Sequence, residues 1–220
     1  MKICVYSQQK TGSTSIYNIL RNNSYTVSKD HYNPKKNLKY DDYDIVIIPF
    51  RNIKEIIISG YFENIIKKKF FYDFDLNMKE NISERIEKIK NIPWDKHVLN
   101  IINYDWSKDY SFIITGIENT LKDVYDVELK NIKFSNFTIL EKKNKYTKKI
   151  SKICLCNFVK MNEKSKEEMF LNLNLRVKDS NLKFNIGEEK WYKDIYKYTK
   201  KSLENNSFSN LYDIKFDINN

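Results

Sequence analysis

The chain has 220 residues, a length that suits one domain of ordinary size, and 41% hydrophobic with 15% aromatic residues is enough to build a core, which excludes disorder of the whole chain. Charged residues make up 31%, mean hydropathy is −0.65 and no apolar run approaches about 18 residues, so no transmembrane helix is expected. The net charge of +10 and pI near 9.2 suit an anionic partner, but abundant Lys, Asn and Ile beside only four Gly and three Pro account for the balance by composition, and the charge is dispersed apart from Lys67 to Lys69 and the stretch from Lys142 to Lys152.

In chain order, Lys2 to Tyr6 reads as a buried strand, and a chain that opens on a strand pattern without a leader-type apolar stretch predicts a cytoplasmic protein. A polar loop, Ser7 to Gly12, follows. Ile16, Ile19 and Leu20 then mark a helix that begins with the hydroxyl residues Ser13, Thr14 and Ser15. A second strand is predicted at Tyr25 to Ser28, ending in Lys29-Asp30-His31. The β-branched run from Asp44 to Phe50 predicts a central parallel strand, with Arg51 directly after it. Ile53, Ile56, Ile57, Tyr61 and Ile65 form a helical stripe, and another helix is expected over 79–90, stopped before Pro93.

The middle, Trp94 to Leu140, is harder to read, with strand-like stretches at 112–114 and 132–140. A late strand is predicted at Ile150 to Val159, then helices from about Ser165 to Leu175 and from Lys190 to Leu203. Strand–loop–helix units at both ends predict a central parallel sheet flanked by crossover helices, an α/β fold in one domain over 1–220. Cys4, Cys154 and Cys156 lie in apolar runs and read as buried thiols. Cys154 and Cys156 form C-x-C, neither a redox C-x-x-C nor, without a second Cys/His cluster, a zinc site.

The first loop carries the chemistry. Backbone N–H groups at a helix start favour an anion, Gly12 permits a tight turn, the hydroxyls of Ser13, Thr14 and Ser15 add donors, and Lys10 adds a mobile charge. The pattern is neither a Walker A loop, because Lys10 precedes the only Gly, nor a dinucleotide fingerprint; an ordinary helix start with a turn glycine is the plain alternative. Arg51 stands where open α/β sheets bind ligands, and Ser59 follows eight residues later, about two helical turns on. Together they suit a second phosphate.

Lys10-Thr11-Gly12-Ser13-Thr14-Ser15 after a first strand resembles the 5′-phosphosulfate loop of sulfotransferases, which usually reads Lys, Ser or Thr, Gly, then two Ser or Thr residues. Arg51 to Phe62 resembles their 3′-phosphate segment, with Arg and Ser at the family spacing and Ile53 where Pro is common. Ile153 to Met161 is similar to the late strand that usually reads L-R-Y-E-D-L, with the acidic position unmatched. Glu189 to Tyr196 is similar to the N-K-W-Y-S signature of a bacterial family of capsular-polysaccharide synthesis proteins within the superfamily, keeping Lys190-Trp191-Tyr192.

The resemblance implies a P-loop-like, three-layer sulfotransferase fold that uses 3′-phosphoadenosine 5′-phosphosulfate as donor and needs no metal. Lys10 would contact the oxygen bridging phosphate and sulfonate. Ser13, Thr14 and Ser15 would hold the 5′-phosphate, with Thr11 and Gly12 also in the donor-binding loop, Arg51 and Ser59 the 3′-phosphate, and Lys190 would reach the donor from the closing segment. His31 would be the base that takes the acceptor's proton, with Asp30 as the alternative, and a surface histidine as the plain reading. His97 reads as structural. The acceptor would be a carbohydrate hydroxyl, in capsule or surface-glycan synthesis.

Three other readings compete: an inactive module that keeps the fold, a kinase-like phosphotransferase using the same loop, and a basic nucleic-acid-binding protein. No RRM, KH, helix-turn-helix or zinc signature supports the last, so no nucleic-acid partner is expected. The basic stretch from Lys142 to Lys149 suits an anionic glycan or, more simply, a solvated loop.

Overall fold

A computed structural model of the chain describes residues 1–31, 39–52, 55–62, 91, 93, 96, 137–178 and 190–202. The helix expected over 79–90, the strand-like stretches at 112–114 and 132–136, His97 and the lysine run at 67–69 lie outside them. The chain groups into two compact units. The first comprises Met1–Ile53, Asp109–Lys183 and Ser209–Asn220; the second comprises Lys54–Lys108 and Phe184–Phe208.

The first unit is α/β. Strands β1 (Ile3–Ser7), β2 (Val27–His31), β3 (Ile45–Pro49), β4 (Phe137–Lys143) and β5 (Ile150–Cys156) form one sheet in the order β2-β1-β3-β5-β4. The continuous apolar runs of β1 and β3 are buried at every position, as strands covered on both faces must be. Ile3, Val5, Ile45, Ile47, Cys154 and Cys156 turn one face of the sheet to a core shared with helices α1 (Ser13–Asn22) and α3 (Glu163–Asn172). Ile16, Ile19 and Leu20 supply the α1 side of that core, and Met169 and Phe170 the α3 side. The three cysteines are free and buried.

The sheet is mixed rather than wholly parallel. β2, β1, β3 and β5 run parallel, whereas β4 pairs antiparallel with β5. The reason is local. Asn144 closes a hairpin between them: its side-chain oxygen accepts the N–H groups of Tyr146 and Thr147 at 2.8 Å each, and its own N–H donates to the Lys149 carbonyl at 2.8 Å. The basic stretch read as a solvated loop is therefore the end of β4 and this turn.

Boundaries also differ: β5 ends at Cys156 rather than Val159, β4 continues past Leu140 to Lys143, and two further shifts have a clear local cause. β2 covers Val27–His31 rather than Tyr25 to Ser28, because its parallel register pairs Ile3 with Val27 and continues to Ser7 with His31. β2 is an edge strand, so it tolerates the polar residues Lys29, Asp30 and His31 that look like a strand end in sequence. Helix α3 starts two residues before the expected Ser165, because the Asn162 side chain accepts the Ser165 N–H at 2.8 Å and caps it. It ends at Asn172, before left-handed Asn174, and Leu173 and Leu175 turn into the core.

In the second unit, residues 55–62 form helix α2 and Lys190–Ser202 form α4. The Tyr196 hydroxyl donates to the Glu55 carbonyl at 2.9 Å, Lys200 pairs with the Glu55 carboxylate at 2.7 Å, and Phe62 meets Tyr192 edge-to-face with centroids 5.8 Å apart. Among the described residues no helix is long and apolar enough to cross a membrane.

Candidate functional site

The loop from β1 to α1 begins where the buried strand ends at Ser7. Two of its residues adopt the left-handed region, Lys10 at φ 65° and Gly12 at φ 90°. For lysine this conformation costs about 1–2 kcal/mol, so the surroundings must hold it. Part of the hold comes from Arg51, whose guanidinium donates to the Lys10 carbonyl at 3.2 Å. A second brace is the buried Thr11 hydroxyl, which donates to the Gln8 carbonyl at 2.9 Å. That bond uses the single proton of Thr11 Oγ1, so only its backbone N–H remains to donate to a ligand.

Gly12 is required twice. Its φ is strained for any side chain, and a Cβ there would lie 3.1 Å from Val159 Cγ2 and 3.6 Å from Phe158 Cδ1. The segment after β5 thus packs against the loop. The first intrahelical bond of α1 runs from the Ile16 N–H to the Gly12 carbonyl at 3.2 Å, which leaves the N–H groups of Ser13, Thr14 and Ser15 without an acceptor inside the helix. No acidic residue stands in this first turn. Ser13 is buried, Ser15 half-buried and Thr14 exposed.

Arg51 reaches the loop because β3 stops at Pro49, and the Phe50 N–H still donates to the Cys156 carbonyl at 2.9 Å. The chain is therefore held against β5 until the residue before Arg51.

His31 closes β2 directly beside Ser7. Its Nδ1 lies 3.2 Å from the Ser7 carbonyl. A carbonyl only accepts, so Nδ1 carries the proton and the neutral ring keeps its lone pair on Nε2. Strand alternation puts Lys29 and His31 on the α1 face and Asp30 on the other, where its charge acts on the Cys4 thiol. Burial, opposed by a bond from Ser28, raises the pKa of that thiol.

The first unit thus brings together Lys10, Thr11, Gly12, Ser13, Thr14, Ser15, Arg51 and His31. The second unit carries the other two expected site residues. Ser59 is half-buried on α2. Lys190 begins α4, 90% exposed, with its ammonium 2.7 Å from the Asp194 carboxylate one turn on; that bond, then the charge itself, raises its pKa. Tyr192, Ile195 and Tyr196 are half-buried on the same helix.

Sequence reading passed over Lys29, whose ammonium donates to Thr14 Oγ1 at 3.1 Å, and two polar groups at the base of the loop, Ser7 Oγ and Gln8 Nε2. Period-two alternation back from His31 is the signal that would have found Lys29.

Comparison with protein-family models, curated proteins and solved structures finds no match.

Proposed function

We propose that the chain is a sulfotransferase that moves a sulfuryl group from 3′-phosphoadenosine 5′-phosphosulfate to a carbohydrate hydroxyl. The observation that carries this reading is the bond from Arg51 to the Lys10 carbonyl. It joins the two segments that resemble the family's phosphate-binding motifs, which lie 41 positions apart in sequence.

In this reading the N–H groups of Gly12 to Ser15 and the Ser13, Thr14 and Ser15 side chains hold the 5′-phosphate at the start of α1. Lys10 stabilises the charge that develops on the bridging oxygen as the bond from that oxygen to sulfur breaks. His31 Nε2 takes the acceptor proton while the acceptor oxygen bonds to sulfur in line, and adenosine 3′,5′-bisphosphate leaves. Arg51 recognises the 3′-phosphate; the family resemblance alone also assigns Ser59 and Lys190 to the donor. The position of Asp30, on the face of β2 away from α1, favours His31 as base.

Calorimetric titration with adenosine 3′,5′-bisphosphate, with 5′-AMP as comparator, tests the reading. Micromolar binding of the bisphosphate and much weaker binding of AMP are expected. Equal affinity for the two would overturn it.

A further inference from the structure

We propose that Lys29 is a second cationic ligand for the anion held by the loop between β1 and α1, gripping the 5′-phosphate beside Thr14. This rests on the reading that the loop binds a nucleotide phosphate.

The first observation is where the charge is held. Lys29 sits on the α1 face of edge strand β2, and its ammonium lies 3.1 Å from Thr14 Oγ1, in the first turn of α1. The Tyr17 ring, 5.9 Å from the same ammonium, restrains it from one side. Arg21 lies over that ring at 5.6 Å and donates to its hydroxyl at 3.4 Å, which fixes the ring in turn. A helix start carries partial positive charge and repels a cation. Here the first turn of α1 holds no carboxylate. Lys29 is thus held against the positive end of a helix that carries no acidic residue there, an arrangement that an anion would relieve.

The second observation is independent of charge. Ser7 Oγ is fully buried and Gln8 Nε2 belongs to a side chain about nine-tenths buried, and neither has a hydrogen-bond partner among the described residues. Ser7 alternates with Ile3 and Val5, which face α1, so its hydroxyl points beneath the loop rather than away from it. Buried donors without acceptors are rare and destabilising. An oxyanion presents several acceptors at once, which suits the buried Ser7 hydroxyl beneath it and an ammonium at its side.

The test compares wild type, Lys29→Met and Lys29→Arg by titration with adenosine 3′,5′-bisphosphate and with inorganic pyrophosphate, beside thermal melts without ligand. Loss of a charge-assisted contact at a half-buried position should raise Kd about tenfold in Lys29→Met, and Lys29→Arg should recover most of it. The ligand-free melting temperature should be unchanged or higher in Lys29→Met, because a cation is removed from the positive end of α1. A lower melting temperature with unchanged Kd would show that Lys29 only braces Thr14, and would overturn the proposal. If wild type binds pyrophosphate but not the bisphosphate, the nucleotide reading fails, and the Lys29 variants still decide the anion site. If wild type binds neither, both fail.

Discussion

The Arg51 guanidinium donates to the carbonyl oxygen of Lys10 at 3.2 Å. Lys10 is the one lysine of the β1–α1 loop and is held in a left-handed conformation, so a residue that leaves β3 helps to set the shape of the loop that leaves β1. Arg51→Ala should therefore act twice. It should lower folding stability by about 1 kcal/mol through the lost bond. It should also remove the preference for adenosine 3′,5′-bisphosphate over 5′-AMP, by tenfold or more if the guanidinium binds the 3′-phosphate. Denaturant midpoints and paired titrations separate the effects, and an unchanged preference would remove Arg51 from the proposed nucleotide site.

Gly12 and Lys10 share the left-handed region but should respond in opposite ways to substitution. Gly12→Ala should cost about 1–2 kcal/mol of stability from backbone strain, plus a smaller steric share from Val159, whose side chain is partly exposed and can yield. Adding Val159→Ala should recover only that share. Lys10→Gly relieves strain and should stay within about 1 kcal/mol of wild type in urea unfolding. If the chain transfers sulfuryl groups as proposed, the rate should nevertheless fall roughly a hundredfold or more, as expected when a group that stabilises developing charge is removed. Full activity in Lys10→Gly would dismiss its assigned role.

Glu55 is 5% exposed and pairs with Lys200 at 2.7 Å, with the Lys200 side chain 34% exposed. Removing one member of such a pair costs more than the pair is worth, because a buried charge loses its counterion. Lys200→Met should destabilise the protein by about 1–3 kcal/mol, the lower part of the range for buried pairs, given the exposure of the lysine. The double variant with Glu55→Gln should be more stable than Lys200→Met alone. A double-mutant cycle read by chemical denaturation checks this, and strict additivity would contradict it.

Asp44 should shape the acid side of the stability curve. The N–H of Lys2, donating to its carboxylate at 2.6 Å, and then the Lys149 ammonium at 3.0 Å hold its pKa below the usual carboxylate value. A carboxylate with a lowered folded-state pKa stabilises the fold above its unfolded value, near pH 4, and the gain is lost as pH falls through the folded value. The side chain is 39% exposed, so screening limits the contribution to under about 1 kcal/mol. Asp44→Asn should lower stability at pH 7 by that amount and flatten the loss below about pH 4. Equal acid sensitivity in variant and wild type would count against it.

The strands were legible where burial dictates composition. The runs at Ile3 and Ile45 are covered on both faces, so every position is apolar and the pattern needs no partner to be read. β2 was less legible because an edge strand accepts polar residues, and its last three look like a loop until the pairing with β1 is known. The direction of β4 was not legible at all. Hydrophobic pattern does not encode whether neighbouring strands run parallel, and the Asn144 turn that reverses the chain reads in sequence as one more basic stretch.

By itself the sequence determined the α/β alternation, the buried thiols, and a glycine-containing loop followed by hydroxyl residues at a helix start. These depend on composition and on neighbours within a few positions, which local sterics and periodicity control. Only the tertiary structure decided that Arg51 bonds Lys10, that Thr11 turns its hydroxyl inward, that His31 rests on the Ser7 carbonyl with Asp30 on the opposite face, and that Lys29 joins Thr14. The His31 and Lys29 contacts link β2 to β1 and α1, and the Arg51 contact links the end of β3 to the loop. They arise because the sheet sets strands from distant positions about 5 Å apart in a fixed register, which no local pattern specifies.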